Sequence, residues 1–164
     1  MKKFVIQAIL LLLVIGIGIF LFNPKSSTAP DIPFLPQPAK FSNLQINQTN
    51  LKVEIADTAS RRSKGLRGRN SLGENEGMLF IFDKAEKHAF WMKGLSFALD
   101  FIWIKADKVV DVLENIPFPS PGQKDADLPI YSSKEEVDKV LEVNGGTVKK
   151  LNIKAGDIIS INDF

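Results

Sequence analysis

Asp100 stands between Leu99 and Phe101 in a run, Leu99-Asp100-Phe101-Ile102-Trp103-Ile104, that carries no other charge. A carboxylate set among apolar side chains must be bonded or must line a pocket, because burying it unpaired is costly. Arg69 and Lys93 are the natural cationic partners. An ion pair with either would pin an Arg-rich stretch to a sheet. The other outcome is a cleft in which Trp91 supplies a stacking face and Arg69, Lys93 and Asp100 supply directional polar contacts. That mixture suits a sugar-like or small anionic ligand, so these four are the candidate ligand-binding residues.

Other residues with chemical potential are weaker signals. Arg61, Arg62, Lys64, Arg67 and Arg69 place five cations in nine residues, a pattern that is ordinarily a solvated face and otherwise an anion site. No aromatic residue is interleaved with them, which argues against single-stranded nucleic acid. Glu142 repeats the Asp100 pattern among Val140, Leu141 and Val143. Two such carboxylates on facing strands could act as acid and base in glycoside hydrolysis, given the right separation. Asn144-Gly145-Gly146 precedes a short helical pattern and could offer backbone N–H groups to an anion, although a tight turn is the ordinary explanation. His88 is the single histidine and there is no cysteine, so no transition-metal site, thiolate chemistry or disulfide framework is expected. Asp125 and Asp127 lack the spacing of a calcium loop. No cofactor is implied.

The 164 residues hold 21 Lys and Arg against 19 Asp and Glu; four of those cations and one of those anions precede Phe41, which leaves the remainder at 17 against 18. A chain that is near neutral beyond its N-terminus lacks the basic surplus of a polyanion-binding protein, and nucleic acid is not an expected partner. The N-terminus itself opens Met1-Lys2-Lys3 and continues in an apolar run over residues 4–22 interrupted only by Gln7. As a helix it would span roughly 28 Å, close to the hydrocarbon thickness of a bilayer. A secretory signal usually has a shorter apolar core of about 7–15 residues and a small-residue cleavage site, which Ser27-Thr28-Ala29 before Pro30 resembles only weakly. Residues 1–22 therefore read as a transmembrane anchor, with secretion after cleavage as the alternative. Lys2 and Lys3 orient the N-terminus to the cytoplasm and the rest outside, as a single-pass protein of the cell membrane. Residues 23–40 carry five of the nine prolines and read as a semi-rigid linker.

Residues 41–164 are enough for one core. Leu51, Val53 and Ile55 alternate with Lys52 and Glu54, the pattern of a strand with one wet face. Asp57 or Thr58 can cap a short helix through Arg61, Arg62 and Lys64 that stops at Gly65. Further strands are predicted over residues 78–82, 89–92, 99–104, 109–116, 137–143 and 158–161, with a short helix over 147–151. Met78-Leu79-Phe80-Ile81-Phe82 shows no polar alternation, as expected of a strand covered on both faces or of a barrel wall. The expected fold is α+β: one β-rich domain with a curved, mostly antiparallel sheet or small barrel and two short helices, preceded by one transmembrane helix.

Six motifs in order, Gly65-Leu66-Arg67-Gly68-Arg69, Gly77-Met78-Leu79-Phe80, Phe90-Trp91-Met92-Lys93, Leu99-Asp100-Phe101-Ile102, Val140-Leu141-Glu142-Val143 with Gly145-Gly146, and Ala155-Gly156-Asp157, resemble the exported domain of unknown function 192 family. The resemblance covers residues 44–161 and implies a compact β-rich domain, often behind a signal or anchor; it implies no reaction. Such proteins commonly carry a polar residue such as Asn where this chain has Gly94.

The reading that follows is a non-catalytic, membrane-tethered binding module facing outward, for a small carbohydrate or anionic ligand. The alternative is an envelope structural or assembly protein that binds another protein through its apolar sheet. An enzyme acting on envelope glycans is a third.

Overall fold

The computed structural model of the chain describes residues 38–163. The expected anchor over residues 4–22 and most of the linker lie outside them. Among the described residues no helix is long and apolar enough to cross a membrane.

Seven strands follow one another as β1 (Phe41–Ile46), β2 (Thr49–Ala56), β3 (Glu76–Glu86), β4 (Leu99–Lys105), β5 (Lys108–Ile116), β6 (Val137–Asn144) and β7 (Ile159–Asp163). Two short α-helices, α1 (Ala59–Lys64) after β2 and α2 (Thr147–Leu151) after β6, accompany them, with a 3-10 turn at Asp125–Asp127. The strands form one curled sheet in the order β5-β4-β6-β3-β2-β1-β7. Its two edges approach each other where Lys108 bridges Ile158 and the Val109 amide donates to the Asp157 carbonyl at 2.9 Å, so the sheet is a half-barrel. All neighbours are antiparallel except β2 and β3, which run parallel because α1 intervenes and carries the chain back to the starting end.

The strands that lack polar alternation are covered on both faces. On one face Leu44, Ile46, Leu51, Val53, Ile55, Leu79, Ile102, Ile104, Leu141 and Val143 form a core with Val148 of α2 and Ile153. On the other, Met78, Phe80, Leu99, Phe101, Trp103 and Val140 pack beneath Leu66, Leu72, Phe90 and Met92, which come from the loops after α1 and β3. That second layer explains one difference from expectation. Residues 89–92 are not a strand of the sheet; they make one bridge, Phe90 to Tyr131, and serve as cover. The sequence reading also passed over β1, whose inward residues are Ser42, Leu44 and Ile46 and whose polar positions dilute the apolar signal.

At Gly77 the central strands come close. A Cβ there would lie 2.8 Å from the carbonyl oxygen of Glu142 and 3.1 Å from side-chain carbons of Leu141 and Val143. Neither the ladder nor the core can move aside easily, so Gly77→Ala is expected to destabilise the domain by about 1–3 kcal/mol, read as a lower midpoint in urea unfolding.

Candidate functional site

The wall of the site begins with α1. Thr58 caps the helix, its Oγ1 accepting from the Arg61 amide at 3.2 Å, and Gly65 ends it with φ of 49°. Arg62 fastens the helix to the sheet: its guanidinium donates to the carbonyls of Asp57 and Ile81, both at 2.8 Å, and lies over the Phe82 ring. Arg67 follows in the loop and donates to the Ser63 carbonyl at 3.2 Å.

The opposite wall is the segment over residues 88–95. His88 stacks on Phe82 with centroids 3.5 Å apart, and its Nε2 is buried with no hydrogen-bond partner. Phe90 turns inward, edge-on to Phe80 and Trp103, while Met92 is buried. Trp91 between them points out and is 47% exposed. Lys93 sits 5.2 Å from the Trp91 ring centroid and pairs with Asp125 at 2.6 Å. Two hydrogen bonds join the walls at one end, from the Gly68 amide to the Gly94 carbonyl and from Ser96 Oγ to the Arg69 carbonyl.

Between the walls lies a cleft of about 180 Å³. Arg62, Lys64 and Arg67 line one side, His88, Trp91 and Lys93 the other, with Phe80, Phe82 and Glu142 beneath. Glu142, on β6, is 4% exposed. Burial pushes its carboxyl up to about 8, and no described residue gives it a hydrogen bond or an ion pair. Gly94 has φ of 71°, and a Cβ on it would meet the Arg67 stem at 2.5 Å, so Arg67 occupies the space that a side chain at position 94 would need.

Of the four sequence-predicted site residues, Trp91 and Lys93 line this cleft and the other two do not. Arg69 is ion-paired with Glu54 of β2. Asp100 is fully buried on the opposite face of the sheet. Its register partner on β6 is Val143, whereas Glu142 faces Phe101, and successive strand residues point to opposite faces. The expected pairing of Asp100 with Arg69 or Lys93 is therefore corrected. Its Oδ1 accepts from the amides of Asn115 at 2.7 Å and Gly146 at 3.0 Å, and its Oδ2 from the amide of Val148 at 2.7 Å. The anion served by the Gly145-Gly146 turn is Asp100 itself. The same parity removes the Asp100 and Glu142 acid–base pair, which would need both carboxyls on one face. The four-residue site leaves out Arg62, Lys64, Arg67, His88 and Glu142; the sequence marks the three cations only as part of a basic run and Glu142 only as a lone strand charge, and nothing in it places His88 beside them. Among the described residues no group of three His, Asp or Glu is placed to hold a metal.

Residues 42–161 match the profile of DUF192, described as Uncharacterized ACR. A solved structure of a candidate transcription regulator from Sinorhizobium meliloti 1021 is similar, with 28% identity, a TM-score of 0.69, and coverage of 77% of this chain and 98% of that one. So is a protein of unknown function from Novosphingobium aromaticivorans DSM 12444, with 27% identity, a TM-score of 0.63, and coverage of 82% and 94%. No curated protein matches. A profile match over most of the described domain, together with two solved relatives of like fold, establishes that the chain belongs to the domain of unknown function 192 family.

Proposed function

We propose that the domain is a non-catalytic binding module for a small anionic or sugar-like ligand, tethered to the cell membrane by residues 4–22 and facing outward. The observation that carries this reading is the cleft, where the half-exposed ring of Trp91 stands beside Lys64, Arg67 and Lys93. Lys64 and Arg67 have no carboxylate partner among the described residues, and the partner of Lys93, Asp125, is itself well exposed and exchangeable for a ligand anion. An aromatic face with convergent cations supplies the stacking surface and the charge-assisted hydrogen bonds such ligands need. The volume is below the ~300–1,000 Å³ of drug-sized pockets, which favours a ligand of one ring over a polymer.

Fluorescence of the full chain in a mild detergent, titrated with D-glucuronate and with inorganic phosphate, tests this. Trp103 is buried, so a saturable change reports Trp91. By calorimetry, Lys93→Ala is expected to weaken binding roughly tenfold or more, the loss of one charge-assisted contact, and Trp91→Ala to weaken it at least as much. The absence of any saturable response to either anion would refute the reading.

An assembly role is favoured by a separate observation. Ile130 is 70% exposed and stands opposite Trp91 beside the Phe90 to Tyr131 bridge, extending an apolar surface past the cleft. The Sinorhizobium protein is named as a transcription regulator, but this chain has no basic surplus with which to bind nucleic acid.

A further inference from the structure

The Glu142 carboxyl and His88 Nε2 are polar groups at the cleft that the described residues leave without a hydrogen-bond partner. The flanking positions in the Glu142 row of the sheet are Met78 and Phe101, so an apolar side chain would suit that layer. Instead the row carries Glu142, a residue 4% exposed that lines the cleft and whose carboxyl has no partner among the described residues. His88, whose Nε2 is likewise unpartnered, lines the same cleft. Buried polar groups without partners are rare in folded proteins because each forfeits its bonds to water, and they are most easily understood where a ligand completes them.

Resting on the binding function proposed above, we propose that Glu142 donates the hydrogen bond that recognises the ligand, and that the ligand class is a carboxylate carried on a single ring. One carboxylate oxygen accepts from Glu142, Arg67 and Lys93 balance the charge, and the ring lies against Trp91. A dianionic phosphate fits less well, since the floor of Phe80, Phe82 and Glu142 offers it a single O–H. The charged and titratable residues that line the cleft with Glu142 are Arg62, Lys64 and Arg67 from α1 and its loop, and His88 and Lys93 from the opposite wall. Along its own row, Glu54 lies beyond Met78 and is held by Arg69. None of these bonds Glu142, so burial alone governs its protonation and the acid form persists at neutral pH.

The test is the Trp91 fluorescence titration of the full chain with D-glucuronate, glucose and inorganic phosphate between about pH 6 and pH 10. Glucuronate is expected to bind at least roughly tenfold more tightly than glucose or phosphate, with affinity falling above about pH 8 toward tenfold per pH unit as Glu142 ionises. Glu142→Gln keeps an N–H donor; it is expected to bind glucuronate within about threefold of the wild type at neutral pH and to lose the pH dependence. Affinity that rises with pH, a preference for phosphate, or a folded Glu142→Gln protein that no longer binds would overturn the role of Glu142 while leaving the anion-binding function intact. If neither anion binds at any pH, the binding function fails and this inference fails with it. The wild-type pH profile decides the matter even if the variant does not fold.

Discussion

Asp100→Asn is expected to lower the melting temperature by about 10 °C, with Asp100→Ala lower still. The carboxylate is fully buried and accepts three backbone hydrogen bonds, from Asn115 at the end of β5 and from Gly146 and Val148 at the start of α2. It thus joins two elements that the sheet ladder does not connect to each other. An asparagine has one acceptor oxygen. With that oxygen kept toward Asn115 and Gly146, its NH₂ would confront the Val148 amide, donor against donor. One stranded buried N–H costs about 1–3 kcal/mol, and the remaining bonds lose their charge assistance, which together makes a loss of about 3 kcal/mol. Circular dichroism melts at neutral pH measure it. Since Asp100 lies on the face away from the cleft, the folded fraction of Asp100→Asn should bind glucuronate like the wild type. An unchanged melting temperature with lost binding would show instead that Asp100 serves the ligand.

That outcome turns on a partner the sequence does not announce. A charge inside an apolar strand signals burial, and here the signal was sound. Cations are the partners a sequence makes conspicuous, whereas the actual donors to Asp100 are backbone amides, which almost every residue carries. The Gly145-Gly146 turn was legible as an anion-binding feature and Asp100 as an anion in need of donors. Joining them required knowing that β4 lies beside β6, some forty residues apart in sequence. The same register decides which carboxyl faces the cleft, because a shift of one residue exchanges the faces of a strand. The two-faced burial of β3 and β4 is readable from the apolar runs over residues 78–82 and 101–104. Residues 89–92 share that composition, but their apolar side chains cover the sheet rather than extend it, a distinction that composition does not carry. Of the residues grouped around Asp100 in the sequence, Trp91 and Lys93 line the cleft, whereas Arg69 does not, because Glu54 of β2 holds it.

Glu142→Gln is expected to do the reverse of Asp100→Asn: to stabilise the chain. In the folded protein, burial pushes the Glu142 carboxyl to about 8, against 4.5 for an unperturbed glutamate. Below about pH 4.5 the folded and unfolded states both hold the proton, and the group makes no difference between them. As pH rises through that value the unfolded chain ionises while the folded one does not. Stability is therefore lost progressively up to about pH 8 and is level beyond it. At pH 7 the loss is on the order of 3 kcal/mol, and a neutral isostere escapes it. Melting temperatures of wild type and Glu142→Gln should coincide near pH 4, separate through neutrality, and run parallel above pH 8. Curves that stay parallel throughout would mean that Glu142 ionises as freely in the folded protein as in the unfolded chain. A native residue that is the less stable choice accords with the binding role proposed for Glu142, since a group kept for a ligand cannot also be satisfied by the fold. The two strand carboxylates that look alike in sequence are thus opposites, one spent on the architecture and the other withheld from it.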